Sequence, residues 1–343
     1  MNGYQVLLGE WRGRHTAILL KDGVLEDVLV APEDDRPAIG AIYRARVDRP
    51  LKGQGGVILS LGGGEKGYFR QGKGLAPGET LLVQVTGYAE PGKAVPVTPK
   101  LLFKSRYAIV TPNAPGVNIS RQIRDEELRE KIAAVAHGIE LEPGHGAILR
   151  SAAGEATAEE LADDLASMAE LAGQVCADLA GEPELLVDGP EPADLAWRDW
   201  PEPDEVLEDP AAFAHFGAEE LIEGILGARA ELEGGASIYV EPTRALVAVD
   251  VNTGGDTSPA AGLKANIAAA RALPRLLRLK GLSGQIVLDL APMPKKDRTR
   301  WEQVLKAALR DDPVETAFVG WTPLGHAELQ RKRERLPLHD IPA

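Results

Sequence analysis

Ala245-Leu-Val-Ala-Val-Asp250-Val-Asn252 sets an apolar, β-branched run against two polar side chains two residues apart. Along a strand, residues i and i+2 point to one face. Asp250 and Asn252 therefore project together, just before the Thr253-Gly254-Gly255 turn. A second run, Gln285-Ile-Val-Leu-Asp289-Leu290, repeats the pattern, so an acid ends each of two apolar strands. A carboxylate is costly to bury unless it is paired or holds a cation. Two together suit a hard ion, since Mg²⁺ takes one or two protein carboxylates, keeps waters and accepts substrate phosphate. Strand-end aspartates that only hold loops are the plainer alternative, and spacing alone leaves both open.

Around this stretch the pattern is mixed α and β. Ser237–Val240 and Ala245–Val251 read as a hairpin through Glu241-Pro-Thr-Arg244. Leu263–Lys280 and Lys295–Leu309 have helical periodicity. Lys295, Lys296, Arg298 and Arg300 open the second helix, either to grip a phosphate backbone or as a solvated face. Upstream, Tyr4–Leu8, Thr16–Leu20 and Val24–Val30 read as strands, and Pro32–Pro37 as a linker. Between Ile39 and Thr98, five short β runs (Ala41–Asp48, Gly56–Leu61, Gly67–Phe69, Thr80–Gly87, Ala94–Thr98) predict a small closed barrel of the OB kind. Tyr43, Tyr68, Phe69 and Tyr88 either stack bases or fill its core. Gly62-Gly-Gly-Glu-Lys-Gly67 lacks the Gly-Lys-Ser/Thr and following helix of a P-loop.

Residues 101–190 change texture. Strands are expected at Tyr107–Val110 and Ala147–Ser151, a helix over Asp125–His137, and another from the Thr157 cap to about Ala180 with Glu160 at its capping-box position. Arg150 and Ser151 end a strand, where an arginine and a hydroxyl can hold a phosphate or simply sit at the surface. Residues 182–210, rich in proline and acid, read as a connector, and Ala218–Ala230 as a helix.

Net charge is -14, against a simple polyanion binder. It is unevenly spread: residues 155–235 hold 23 acids and 2 bases, residues 264–343 hold 15 bases and 9 acids. The basic end is the one to face phosphates. Cys176 is the only cysteine, which excludes an internal disulfide or a cysteine-rich zinc site and fits a reducing cytoplasm. No apolar run reaches the ~18 residues of a membrane span. The N-terminal residues lack the basic and apolar regions of a signal peptide.

The order and spacing of these motifs resemble the ribonuclease E/G family. The match is carried by Ala245–Thr253, by Asn266-Ile-Ala-Ala-Ala with Leu277-Arg-Leu-Lys280, and by Gly284-Gln-Ile-Val-Leu-Asp289. Upstream it is carried by Ile42-Tyr-Arg-Ala-Arg-Val, Gly67-Tyr-Phe, Asn118-Ile-Ser-Arg-Gln-Ile and Gly146-Ala-Ile-Leu-Arg-Ser. The resemblance implies an α+β multidomain chain: an RNase H-like subdomain (1–37 and 200–258) with an inserted S1 (OB) barrel (38–100) and a 5′-sensor region with acidic connector (101–199), then a DNase I-like α/β subdomain (259–343). It implies Mg²⁺-dependent endonucleolytic cleavage of single-stranded, AU-rich RNA, with Mn²⁺ as a substitute ion. On this likeness Asp250 and Asp289 bind the metal, which polarises the phosphate and activates a water for in-line attack, leaving a 5′-phosphate. Asn252 orients Asp250. Arg150 and Ser151 receive a 5′-monophosphate, Tyr68 stacks a base, and Lys295 and Lys296 are expected on the RNA backbone. Ile58 stands at the barrel's second stacking position, and Pro292 where the family often has an acid. The family's Cys-Pro-x-Cys zinc link is absent, so no zinc is expected, a homodimer formed without zinc stays open, and no scaffold tail is expected to recruit a degradosome. The alternative is an RNA-binding protein of the same fold with little cleavage.

Overall fold

In the computed structural model, which describes residues 3–33, 36–51, 55–90 and 92–342, the chain divides into two units. One joins the residues before 34 to those from Pro201 onward; the other takes the residues between. Asp34 and Asp35 of the expected linker lie outside the described residues, as do Met1 and Asn2.

The N-terminal meander is β1 (Tyr4–Trp11), β2 (Arg14–Lys21) and β3 (Val24–Val30), all antiparallel. Its two tight turns place Arg12-Gly13 and Asp22-Gly23 at positive φ, the backbone that matches the twist of a two-residue hairpin. Leu7, Trp11, Ile18 and Leu20 bury one side of this sheet.

The second unit begins with β4 (Ile42–Pro50), β5 (Val57–Gly62), β6 (Glu65–Phe69), β7 (Thr80–Val85) and β8 (Val95–Thr98). β4 pairs with both β5 and β7, which closes a five-stranded, OB-like barrel around Ala45, Val47, Leu59, Leu61 and Val83. Next come β9 (Phe103–Lys104), β10 (Ala108–Thr111), β11 (Gly116–Ile119), α1 (Glu126–His137), β12 (Gly146–Leu149) and α2 (Ala158–Ala177). The four strands form a sheet in the order β11-β12-β10-β9, cored with α1 and α2 by Val110, Leu149, Leu161 and Leu165. Thr157 and Glu160 make the expected reciprocal capping box on α2.

The connector expected at 182–210 holds regular structure. β13 (Glu184–Val187) pairs with β4, α3 (Pro192–Asp199) follows, and β14 (Glu205–Leu207) runs parallel to β1. These strands have no apolar alternation of their own; an existing edge supplies their partners.

From there the first unit continues with α4 (Pro210–His215), α5 (Ala218–Leu226), β15 (Arg229–Glu231), β16 (Ser237–Pro242), β17 (Val247–Asn252), α6 (Ala261–Leu279), β18 (Gly284–Asp289), α7 (Arg298–Asp311), β19 (Thr316–Trp321) and β20 (Ala327–Arg331). Six strands form a sheet in the order β15-β16-β17-β18-β20-β19. Within it β17 and β18 are parallel, joined by α6. Val249, Val251, Leu273, Leu277, Ile286, Leu288, Trp301 and Leu305 make one core between this sheet and α6 and α7. That core takes residues from both sides of position 258. Among the described residues no helix is long and apolar enough to cross a membrane.

Part of the basic end, Arg278, Arg331 and Arg335, faces inward to carboxylates, while Lys295 and Lys296 stay exposed. Arg278 bonds Glu26 at 2.9 Å and Asp312, Arg331 bonds Asp312 at 2.9 Å, and Arg335 bonds Asp27 at 2.9 Å. The side chains of Asp312 and Arg331 are each 1% exposed. Asp312 is the one carboxylate bonded to Arg331 among the described residues, and a buried guanidinium stripped of its carboxylate keeps its desolvation cost with no Coulombic return. Asp312→Ala is therefore expected to cost about 3 kcal/mol or more, read from the urea midpoint; a loss below about 1 kcal/mol would show that Val314 O and the Thr316 hydroxyl suffice for Arg331.

Candidate active site

Burial alternates along β17: Val247, Val249 and Val251 enter the core, while Asp250 and Asn252 are exposed on the opposite face. β18 alternates in the same way, with Ile286 and Leu288 inside and Asp289 out. In the parallel register Asp250 lies opposite Asp289. Neighbouring strands are about 4.8 Å apart, so the two carboxylates stand side by side on the open face. They lie at the carboxyl ends of the parallel pair, where ligands of α/β sheets usually bind. Asn252 Nδ2 donates to Asp250 Oδ2 at 2.8 Å. The structure thus brings Asp250, Asn252 and Asp289 together.

The backbone after Asp289 is clamped. Asn266, fully buried on α6, accepts from Ala291 N at 3.0 Å and donates to Ala291 O at 2.8 Å. One turn earlier, a Cβ on Gly262 would lie 2.0 Å from Pro292 O, so only glycine admits this approach. The sequence offered Asn266 as a motif letter; its clamping role needed the fold.

The donor set fits Mg²⁺. Among the described residues no three His, Cys, Asp or Glu side chains converge as a metal cluster. Two exposed carboxylates, one steadied by an amide, leave most positions of an octahedral ion to water and phosphate. A structural zinc would want four protein ligands. Lys295 and Lys296 are exposed on a 3-10 turn, Lys295–Asp297, that precedes α7. The expected helix starts three residues later than the periodicity predicts. Pro294 heads the turn and fits its non-helical backbone.

His326 was not expected. Its Nε2 lies 3.8 Å from Asp289 Oδ1. It belongs to the turn between β19 and β20, 37 residues beyond Asp289, and β19 itself gave no readable pattern.

In the other unit, Arg150 is already engaged. Its guanidinium donates to Ser105 O, to Arg198 O at 3.0 Å and to Asp199 Oδ1 at 2.6 Å. Burial pushes the Asp199 carboxyl up, but Arg198 and Arg150 outweigh it and hold the group below the usual carboxylate range. Ser151, exposed, begins the 3-10 turn that Arg150 caps. On the barrel, Tyr68 sits opposite Ile58, half-buried, with its hydroxyl 3.4 Å from Gly55 O. Tyr43 is in the barrel core, where burial, then Glu65 and Asp188, push its hydroxyl up, so it offers no stacking face. Phe69 packs against that same core.

The ribonuclease E/G family model matches residues 103–206 and 204–334. Ribonuclease G of Salmonella typhimurium is 28% identical over 91% of this chain and 76% of its own length. Ribonuclease G of Escherichia coli K12 is 27% identical over 93% and 78%. Ribonuclease E of Synechocystis is 26% identical over 98% of this chain and 58% of its own. The chain belongs to the ribonuclease E/G family.

Like charges facing each other on adjacent strands repel. Asp289→Asn is therefore expected to stabilise the metal-free protein by about 0.5 kcal/mol in EDTA. An unchanged or lower unfolding midpoint would show that the two carboxylates do not feel each other.

Proposed function

We propose that this endoribonuclease cleaves single-stranded, AU-rich RNA in RNA processing or decay, using Mg²⁺, or Mn²⁺ in its place, held between Asp250 and Asp289. The observation that carries the reading is the register pair of exposed acids with Asn252 bonded to one of them. A bound cation supplies charge withdrawal from the phosphodiester and a more acidic water at neutral pH. The chain's own residues do the rest. Asn252 fixes one oxygen of Asp250 so that the carboxylate needs no reorientation when the ion arrives. Asn266 and Gly262 hold the backbone just beyond Asp289. Lys295 and Lys296 offer positive charge to the RNA backbone from the segment that follows.

In the barrel, Tyr68 presents the stacking face for one base, and aliphatic Ile58 beside it widens the apolar surface without a second ring. Arg150 and Ser151 take a 5′-monophosphate. Among the described residues three of the five N–H donors of Arg150 are committed, and the other two are those assigned to the phosphate. Its charge is shared with Asp199, but Arg198 pairs with the same acid, so the cluster keeps a net positive charge.

Incubation of a 5′-monophosphorylated AU-rich oligonucleotide with Mg²⁺ tests the whole reading. Wild type is expected to release 5′-phosphate products, and Asp250→Asn to retain binding while losing cleavage. Binding without cleavage by either protein would favour the non-cleaving alternative. The 5′ end is tested separately: Arg150→Ala should narrow the rate gap between 5′-monophosphate and 5′-hydroxyl substrates, and an unchanged gap rejects the sensor.

A further inference from the structure

The open face of the six-stranded sheet carries a row of side chains set by register alone. Arg229 lies opposite Tyr239, Tyr239 opposite Asp250, and Asp250 opposite Asp289. β18 and β20 are antiparallel, their register ends at Leu288 opposite Ala327, and the next residues, Asp289 and His326, approach to 3.8 Å. Residues directly opposite on one face bring their side chains within contact range. The two acids at the centre of the row are unequally supported. Asp250 accepts a hydrogen bond from Asn252 at 2.8 Å. No hydrogen bond reaches the Asp289 carboxylate among the described residues, and its side chain is 68% exposed; His326 Nε2 lies 3.8 Å from its Oδ1.

His326 is well placed for such support. Its N–H donates to Thr322 Oγ1 at 3.0 Å and its carbonyl accepts from Thr322 N at 2.8 Å. Gly325, at φ 96°, allows the turn between them. The backbone is therefore fixed, and it holds the imidazole 3.8 Å from the Asp289 carboxylate. His326 does not join the acids as a third convergent ligand, since no such trio forms among the described residues. Its place is beside the carboxylate, 3.8 Å from Oδ1. Groups that hold a metal ligand from behind commonly change metal affinity or activity by about 10- to 100-fold when removed.

We propose that His326 is a positioning residue that holds Asp289 for the divalent cation, as Asn252 holds Asp250. This rests on the cation reading above. The test is Mn²⁺ affinity of the full chain, by calorimetry and by the loss of the free-ion paramagnetic resonance signal, with metal-free unfolding midpoints alongside. His326→Ala is expected to weaken Mn²⁺ binding about 10-fold or more with the metal-free midpoint unchanged, and His326→Gln, which keeps a side-chain N–H donor, to restore most of it. Wild-type affinity in His326→Ala overturns the proposal, as does a loss that glutamine fails to recover. If the alanine variant does not fold, His326→Gln is compared with His326→Leu, similar in bulk but without a donor; equal affinities then overturn it. No Mn²⁺ binding by wild type removes the cation reading and this proposal together, an outcome distinct from binding that is indifferent to residue 326.

Discussion

Two carboxylates held in register on neighbouring strands are the constraint around which the C-terminal sheet is built. Among the described residues their only side-chain partners are the Asn252 amide, which donates to Asp250, and the His326 imidazole, 3.8 Å from Asp289. The sheet tolerates them because the other face does not yield. Val249, Val251, Ile286 and Leu288 fix the register, and a slip by one residue would turn every apolar side chain to solvent. The apolar contacts of the buried face thus decide where the two acids stand on the open one.

The clamp from α6 belongs to the same logic. A strand end is the softest part of a strand, and Asp289 is the last residue of β18. Asn266 satisfies both backbone groups of Ala291, and Trp301 Nε1 in turn donates to Asn266 O at 3.0 Å. Trp301 is itself fully buried, so this support reaches from the core to the acid pair through bonds with little freedom.

Sequence reading was strongest where the signal was local. The shared face of Asp250 and Asn252 follows from a spacing of two, and the barrel from short runs punctuated by glycine. The cap on α2 follows from Thr157 and Glu160. That Asp289 stands beside Asp250 required strand order, which no local pattern encodes; there the family likeness supplied what spacing could not. β13 and β14 were hidden by proline and acid, since their partners lie far off in sequence. The same distance hid His326 and the ion network of Glu26, Asp27, Arg278, Asp312 and Arg331. Counts of charge misled for a related reason. Arg44 bonds Asp178 and Glu184, and Arg46 bonds Glu182, so part of the acidic segment neutralises the barrel's own arginines.

β1 pairs with β14, Gln5 against Glu205, although a whole unit of chain separates them. On a ribosome the opening hairpins emerge first but their fourth strand arrives last. With roughly 170 intervening residues and a synthesis rate of about 5–20 residues per second, the wait is on the order of ten to thirty seconds. During that interval one edge of the N-terminal meander is bare, a template for stray pairing. β1 would then be the place where translation speed and chaperone access decide how much of the chain reaches its native form.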